Sequence, residues 1–404
     1  MTEVRSNKRG SISSKTSGKK RRNRIKKNYY FDYSLVAVLI FLLAFGLIML
    51  YSISAYTAMQ EGNSDMYYFQ RQLIYTMLGL VAMVIASKIP YHFLGAYSGA
   101  LYWISMVAMA LVQTPLGIEA NGARRWIYFP IIGQFQPSEI TKLAIILYVP
   151  YMISIMGKAV TKKENYRHIL LKGAMASAGV LFLTDNLSTA IIVFGIVMGI
   201  IVVALPQSRA VVVGGMGVLI AGYLAVRTWG VEILTELGGF RGERILVWLE
   251  PEKYASDGGY QVLQGLYAIG SGGLFGKGLG NGTQKITAIP EVQNDYILAA
   301  IIEELGIFGA AIILILFGLL LYRLFFIASN APDIYGSLVV TGIFIHLALQ
   351  VILNIAVVTA LIPNTGITLP FISYGGTAMV FLLTEIGIAL SVSSKIVLVA
   401  ENDE

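Results

Sequence analysis

The stretch "SLVAVLIFLLAFGLIMLYSIS", residues 34 to 54, decides the fold of this chain because it is apolar throughout and carries no charge. A helix of roughly 20 such residues crosses the hydrocarbon core of a bilayer. The remainder of the chain has the same character. Of the 404 residues, 56% are hydrophobic and 13% are charged, and the mean hydropathy is +0.69. This balance is far from that of a soluble domain and predicts an integral membrane protein.

Further apolar runs of span length predict about ten transmembrane helices in total. They are helices because a chain in lipid must satisfy its own backbone groups, and no run shows the alternation of a barrel strand. The predicted fold class is an all-α integral membrane protein, with a long extracytoplasmic loop, residues 228 to 295, between helices 7 and 8. The predicted spans are residues 34–54, 70–88, 92–113, 137–157, 168–184, 187–205, 209–227, 296–321, 334–357 and 372–394.

The two ends of the chain are predicted to be cytoplasmic tails. Residues 1 to 33 are rich in Lys, Arg, Ser and Gly, too polar to fold alone, and are expected to be disordered. A polybasic segment before a span is typical of a cytoplasmic side and of contact with anionic lipid, rather than of a nucleic-acid arm. Because the predicted number of spans is even, both ends of the chain are expected on the cytoplasmic side. Residues 34 to 395 then form the membrane domain, and residues 396 to 404 form a short cytoplasmic tail.

The chain lacks the side chains of several kinds of site. It has no cysteine and only three histidines, which lie far apart, so neither a thiol nucleophile nor a zinc site is expected. We therefore predict no protein-built metal site and no firm cofactor. Acidic groups near the outer leaflet leave room for a divalent cation that accompanies a substrate.

Several cations fall on the predicted outer face, against the usual excess of Lys and Arg inside. They lie near a glycine-rich run, "IGSGGLFGKGLGNG" at residues 269 to 282, which is not a Walker A motif because no Gly-Lys-Ser/Thr closes it. Guanidinium groups can grip a diphosphate at two points. The pattern predicts an external site for a lipid-linked diphosphate. These cations include Arg124, Arg125, Arg241, Arg244 and Lys277.

Three carboxylates stand in "PEVQNDYILAAIIEELG", residues 290 to 306. Asp295 precedes the apolar run, so the helix dipole and access to water are expected to keep it ionised as a base; helix capping is the alternative role. On a helical wheel Glu303 lies about 80° and Glu304 about 180° from Asp295. The two glutamates are therefore expected to brace neighbouring helices instead of sharing one site.

Six segments carry a resemblance to the SEDS family, the FtsW, RodA and SpoVE proteins. Two departures from the family pattern are the run "TDNLSTA" at residues 184 to 190, which leaves a role for Asp185 open, and Gly265 in place of a serine. The segments that resemble the family are "NGARRWI" (121–127), "QPSEITK" (136–142), "GERILVWLEP" (242–251), "GYQVLQGLYAIGSGGLFGKGLGNGTQK" (259–285), the segment 290–306 and "LIPNTGITLPFISYGGTAM" (361–379).

The resemblance implies a peptidoglycan glycosyltransferase that polymerises lipid II at the outer face of a bacterial plasma membrane, with a class B penicillin-binding protein as partner. The family's catalytic acid corresponds to Asp295, the expected general base. The segment "GITLPFISYGG" and the basic tail resemble FtsW or SpoVE more than RodA, which implies septal synthesis alongside other division proteins. Candidate substrate-binding residues are Arg124, Arg125, Lys142, Arg241, Arg244 and Lys277 for diphosphates, and Gln136, Glu139 and Ser373 for orientation.

Two other functions fit parts of the same pattern. A transporter that flips the lipid-linked precursor also needs intramembrane charges and glycines, but its site is expected near the midplane rather than in the outer leaflet. A scaffold that only recruits the transpeptidase predicts that Asp295 and the outer cations are dispensable. An elongation or sporulation polymerase of the RodA or SpoVE kind is the alternative within the family.

Overall fold

The computed structural model describes residues 28–120, 123–129, 133–205, 209–237, 240–283 and 291–398. Residues 1 to 27 of the predicted basic tail and residues 399 to 404 of the C-terminal tail lie outside this range. Within it, most of the chain is α-helical. The described α-helices are α1 (Tyr33–Gln60), α2 (Tyr67–Lys88), α3 (Tyr91–Leu111), α4 (Pro137–Met156), α5 (Lys163–Leu183), α6 (Leu187–Ala204), α7 (Arg209–Leu237), α8 (Phe240–Leu249), α9 (Tyr260–Gly272), α10 (Ile297–Asn330), α11 (Ile334–Val358) and α12 (Thr377–Ser393).

Each of the ten predicted spans overlies one of these helices. Among the described residues, seven helices are long and apolar enough to cross a membrane: α1, α2, α3, α4, α6, α10 and α11. Of the remaining three, α12 is apolar but has only 17 residues, and α5 begins with a charged turn that lowers its hydropathy. The chain is a multi-pass all-α membrane protein, and the count of ten spans remains a prediction.

The two ends of the described chain meet at one end of the helix bundle. Strand β1 (Asn28–Tyr29) pairs antiparallel with strand β5 (Val397–Leu398). Residues 28 to 33 of the predicted tail belong to the described structure. Asp32 caps α1 at Leu35 N and accepts hydrogen bonds from Arg323 of α10. Because an odd number of crossings would separate the strands across the membrane, this pairing requires an even number.

A small antiparallel sheet follows α3. It consists of β2 (Gly117–Ala120), β3 (Ala123–Phe129) and β4 (Gly133–Phe135) in the order β2-β3-β4. The segment "ARRWIYF" favours a strand because aromatic and β-branched residues suit the pleated surface. On β3, Trp126 pairs with Ile118 and Arg124 with Glu119, so the register shifts at Arg125. Such a β-bulge interrupts the regular alternation of side chains and can redirect one of them.

The predicted long loop is largely helical. Helix α7 extends ten residues past the predicted boundary at 227, and α8 and α9 occupy much of the rest. Residues 284 to 290 lie outside the described part of the chain. The apolar helix that follows, α10, breaks at Gly306, whose φ of 69° and ψ of −169° are not helical. The break separates a short half-helix, 297–305, from the long membrane-crossing part.

Helices α4 and α11 lie at the centre of the bundle. In the most apolar stretch of each of these helices, 56% of the residues are buried in α4 and 61% in α11. The corresponding share is 28% in α2 and in α3, which face outward. The central pair therefore supplies polar side chains that lipid does not reach. These side chains include Glu139 and Lys142 of α4, and Gln350 and Asn354 of α11, all of which are buried.

Candidate active site

A cavity of about 1060 Å³ opens at the end of the bundle opposite the β1–β5 pair. It is framed by β3 and β4, by the first turns of α4, α6 and α12, and by the turn that precedes α10. Six of the ten predicted site residues line it: Arg125, Gln136, Glu139, Lys142, Arg244 and Asp295.

Asp295 lies in the turn before α10 and lines the cavity while being only 8% exposed. Its backbone carbonyl accepts a hydrogen bond of 2.9 Å from Asn354 Nδ2. The N-cap position of α10 belongs to Tyr296, and no side chain caps this helix. Helix capping therefore does not explain why a carboxylate stands at residue 295.

Burial of Asp295 opposes the ionisation that the helix dipole was expected to favour. Burial raises the pKa of Asp295 to about 7, with a smaller contribution from the nearby Glu291 carboxylate, while Arg244 and backbone hydrogen bonds oppose the rise. At neutral pH the carboxyl group is divided between its two protonation states. A base with a pKa near the working pH is well suited to proton transfer.

Two guanidinium groups lie close to each other at the cavity wall. Desolvation lowers the pKa of Arg125, and the positive charge of Arg244 lowers it further. Desolvation likewise lowers the pKa of Arg244, while the Asp295 carboxylate raises it. Arg125 is held by one hydrogen bond of 3.1 Å from Nη2 to the backbone oxygen of Asp185. An anion placed between two such cations would relieve their repulsion.

Arg124 is not among the residues that line the cavity, although its neighbours Arg125 and Trp126 are. Its Nε is 3.4 Å from Glu119 Oε2, and both side chains are largely exposed. The predicted contact between Arg124 and a diphosphate stays a prediction that its position in this structure does not favour.

Lys142 and Glu139 form a buried ion pair on the first turns of α4. The ammonium lies 2.9 Å from the carboxylate, and the side chains are 4% and 7% exposed. Both line the cavity, as does Gln136 immediately before the helix. The Glu139 carboxylate holds the Lys142 ammonium in place, and its role in orienting substrate stays a prediction.

Lys277 is not among the cavity-lining residues. Its Nζ lies 2.6 Å from Glu303 Oε1, and Glu303 also accepts hydrogen bonds from Thr283 N and Oγ1, both at 2.9 Å. Glu304 accepts from Ser52 Oγ of α1 at 2.7 Å and from Gly280 N at 3.1 Å. The two glutamates thus hold the glycine-rich run against the half-helix of α10. The role of Lys277 as a diphosphate contact stays a prediction, and its ion pair with Glu303 does not favour it.

Two further predicted residues have other positions. Arg241 belongs to α8, but its side chain lies outside the described part of the structure. Ser373 is buried beside the cavity, where its Oγ accepts a hydrogen bond of 2.8 Å from Leu369 N. Its carbonyl also accepts from Gln72 Nε2 at 3.2 Å. Ser373 therefore fixes the segment before α12 and does not face the cavity.

The two departures from the family pattern have local explanations. In "TDNLSTA", Asn186 caps α6 by accepting a hydrogen bond of 3.0 Å from Thr189 N, and Asp185 contributes its backbone carbonyl to Arg125. Gly265 packs against the ring of Tyr296, where a Cβ atom would collide. The glycine therefore allows α9 to approach the turn that carries Asp295.

Several residues that line the cavity are not among the predicted site residues. Arg71, near the start of α2, lines the cavity and bonds to the Tyr374 hydroxyl. A charge at the outer start of an apolar run was a usable signal. The polar residues of the irregular segment between α11 and α12 gave no such signal, since their positions depend on contacts distant in sequence. Missed lining residues also include Asn186, Ser188, Thr189, Gln261, Gln350 and Asn364.

Comparison with known proteins supplies the decisive observation. The sequence profile of the FtsW, RodA and SpoVE family, described as cell cycle proteins, matches residues 33 to 396. The chain belongs to this family. The matched range coincides with the predicted membrane domain, residues 34 to 395, so the cavity lies within the family's shared region.

Curated members of the family are similar along nearly their whole length. The stage V sporulation protein E of Bacillus subtilis is 37% identical over 375 residues, which are 90% of this chain and 96% of that protein. A protein named probable peptidoglycan glycosyltransferase FtsW, also from Bacillus subtilis, is 35% identical and covers 90% of each chain.

Solved structures of the family have the same fold. One chain of a peptidoglycan synthase complex, described as coordinating polymerization and crosslinking, superimposes with a TM-score of 0.73 at 27% identity, covering 90% of this chain and 97% of that one. The rod shape determining protein RodA of Thermus thermophilus gives a TM-score of 0.63 at 27% identity, covering 90% and 96%.

Proposed function

We propose that the cavity is the polymerising site of a peptidoglycan glycosyltransferase, which joins lipid II units into glycan strands at the outer face of the plasma membrane. The observation that carries this proposal is the position of Asp295, a buried carboxyl group with a pKa of about 7, beside two guanidinium groups in one cavity. The names of the FtsW-type relatives support the same activity.

In the proposed reaction the ionised Asp295 removes the proton from the 4-hydroxyl of the acceptor sugar. The hydroxyl oxygen then attacks the anomeric carbon of the donor, and the bond from that carbon to the lipid diphosphate breaks. Positive charge develops on the donor sugar ring as the bond breaks, and negative charge collects on the leaving diphosphate. Arg125 and Arg244 stabilise that charge because they are preorganised at the cavity wall.

Lys142 serves the same diphosphate chemistry. Its ion pair with Glu139 keeps the ammonium fixed, so little reorganisation is required when an anionic substrate binds. Arg71, which the sequence did not single out, is a further cation of the lining. The four cations Arg71, Arg125, Lys142 and Arg244 share the lining with the carboxyl groups of Glu139, Glu291 and Asp295.

A flippase is the rival function, and the deep ionisable groups argue against it. In the middle of α11 and α12, His346 Nδ1 lies 2.8 Å from Glu385 Oε2, and both side chains are 1% exposed. This pair is enclosed by helices and does not line the cavity. A transporter requires a substrate site near the midplane, and this enclosed pair does not provide one.

The described residues do not fit a protein-built metal centre. They contain no group of three or more His, Cys, Asp or Glu side chains placed to hold an ion. Glu291 and Asp295 both line the cavity, and a divalent cation bound to a substrate diphosphate could share them. Addition of a chelator to the polymerisation assay, followed by Mg²⁺ or Mn²⁺, tests this dependence.

We further propose that the enzyme works with a class B penicillin-binding protein at the division septum, with both of its own termini in the cytoplasm. The structural relative from a polymerising and crosslinking complex supports the first part, and the FtsW-named relatives support the second. A fluorescent fusion should gather at midcell in dividing cells. A signal confined to sporulating cells would instead favour a role like that of the sporulation relative.

The decisive experiment uses purified protein with its transpeptidase partner and lipid II. Asp295→Asn preserves size and removes the base, so glycan polymer should disappear while the melting temperature stays close to wild type. Wild-type polymer from this variant would contradict the proposed base. A parallel liposome assay, with fluorescent lipid II in one leaflet, separates polymerisation from transfer across the membrane.

A further inference from the structure

Asn354 joins two segments of the cavity wall through a single amide nitrogen. Its side chain is 0% exposed in the interior of the bundle, near the end of α11. Nδ2 donates to the backbone oxygen of Asp295 at 2.9 Å and to that of Ile367 at 2.7 Å. Asn354 does not line the cavity itself, so it can act on substrate only through these neighbours.

Neither of the two segments is regular at the point where Asn354 holds it. Asp295 lies in a turn, and Ile367 lies in the irregular chain between α11 and α12. Their buried carbonyls have no helix or sheet partner there, and a buried carbonyl left unpaired is destabilising because it loses its hydrogen bonds to water. The Asn354 amide satisfies both carbonyls.

Neighbouring bonds form one system with Asn354. Gln350, one turn earlier on the same face of α11, donates from Nε2 to the backbone oxygen of Thr368 at 3.2 Å. Tyr374 N donates to the backbone oxygen of Gln293 at 2.9 Å. The two wall segments are thus tied to each other and to a central helix, and only Asn354 among these residues contacts Asp295 itself.

We infer that Asn354 is a positioning residue for glycosyl transfer, which holds the Asp295 backbone so that the carboxyl group stays buried at the cavity wall. This inference rests on the proposed role of Asp295 as the base. A displacement of about 1 Å at a reacting group can reduce the rate by about 100-fold. The loss should appear in kcat, because Asn354 makes no contact with the bound substrate.

A purely structural role would not alter the pH dependence of the reaction, whereas a positioning role does. Burial is the main cause of the raised pKa of Asp295; Glu291 raises it further, and Arg244 lowers it. Tyr296 is the other titratable group beside it. If the Asp295 backbone loosens, water reaches the carboxyl group and its pKa falls. The acidic limb of the rate profile then moves to lower pH.

The test compares two variants with a matched control in the full-length protein bound to its transpeptidase partner. Asn354→Leu keeps the size and removes the donor, so kcat should fall about 100-fold, with KM for lipid II unchanged and the acidic limb at lower pH. Asn354→Gln retains an amide and should recover part of kcat. Thr341→Val is the control on the same helix, because the buried Thr341 hydroxyl donates to Ser337 O within α11.

Several outcomes would overturn the inference. One is a wild-type kcat and pH profile for Asn354→Leu; another is a lower melting temperature with an unshifted profile, which would reduce Asn354 to a structural role. If Asn354→Leu does not fold, Asn354→Gln carries the test, and an unshifted profile there overturns the inference. Asp295→Asn is measured alongside. If the Asp295→Asn protein makes polymer, the proposed base is refuted. If Asp295→Asn is inactive but Asn354→Leu has wild-type activity and pH profile, only the positioning role is refuted.

Discussion

The Lys142 ammonium lies 2.9 Å from the Glu139 carboxylate, one turn away on α4, and neither side chain is more than 7% exposed. Within a membrane protein each of these charges is costly without the other. The pair is therefore both a stabilising contact of the folded bundle and a charged element of the cavity wall. These two roles can be separated by mutation.

Removing only the cation should destabilise the protein more than removing both charges. Lys142→Met leaves a buried, unpaired Glu139, which we expect to lower the free energy of unfolding by about 3–5 kcal/mol. The double variant Lys142→Met/Glu139→Leu should recover most of this loss, although both proteins lack polymerase activity. Unfolding in detergent measures the difference, and equal stability of the two variants would contradict a mutually compensating pair.

The adjacent arginines of β3 offer a matched comparison. Arg125→Gln should reduce kcat/KM for lipid II by roughly 10–100-fold, the equivalent of losing a charge-assisted hydrogen bond of about 1.5–3 kcal/mol. Arg124→Gln should remain within about twofold of wild type, because its side chain does not line the cavity and pairs with the exposed Glu119. Equal losses in both variants would mean that the strand does not separate the two side chains.

The arginine pair also marks the limit of what the sequence could predict. The helices followed directly from apolar runs, since the length needed to cross a bilayer is fixed. The sheet did not, because β2 and β4 are only four and three residues long. Without the sheet and the register shift at Arg125, the different positions of Arg124 and Arg125 relative to the cavity could not be deduced.

Contacts between distant residues account for the other differences. Lys277 was a reasonable diphosphate ligand by charge alone, but its partner is Glu303, 26 residues further along the chain. The raised pKa of Asp295 has a similar origin, because its burial depends on several elements that meet at the cavity. Sequence position suggested access to water, while packing reduced the exposure of the side chain to 8%.

The pH dependence of polymerisation should report the state of Asp295. The carboxyl group must be ionised to accept a proton, and its pKa is raised to about 7. Activity should therefore fall as the pH drops below about 7, by about tenfold per unit at the acidic extreme. Arg244→Gln removes a cation that lowers this pKa, so the acidic limb should move to higher pH. Profiles of kcat/KM between pH 5 and 9 would show both effects, and an acidic limb near pH 4 would exclude this group as the base.

Gly306 should be essential to the shape of α10. Its φ of 69° lies where L side chains are strained, and an added Cβ would collide with the Leu274 carbonyl. We expect Gly306→Ala to lower the free energy of unfolding by about 1–3 kcal/mol. It should also reduce polymerisation, because the break fixes the direction of the half-helix that follows Asp295.

Gly270→Ala is the matched control, since Gly270 lies in α9 with open space around it, and alanine there should stabilise by about 0.5–1 kcal/mol. Melting temperatures in detergent distinguish the two, and a neutral Gly306→Ala would mean that α10 can straighten without loss.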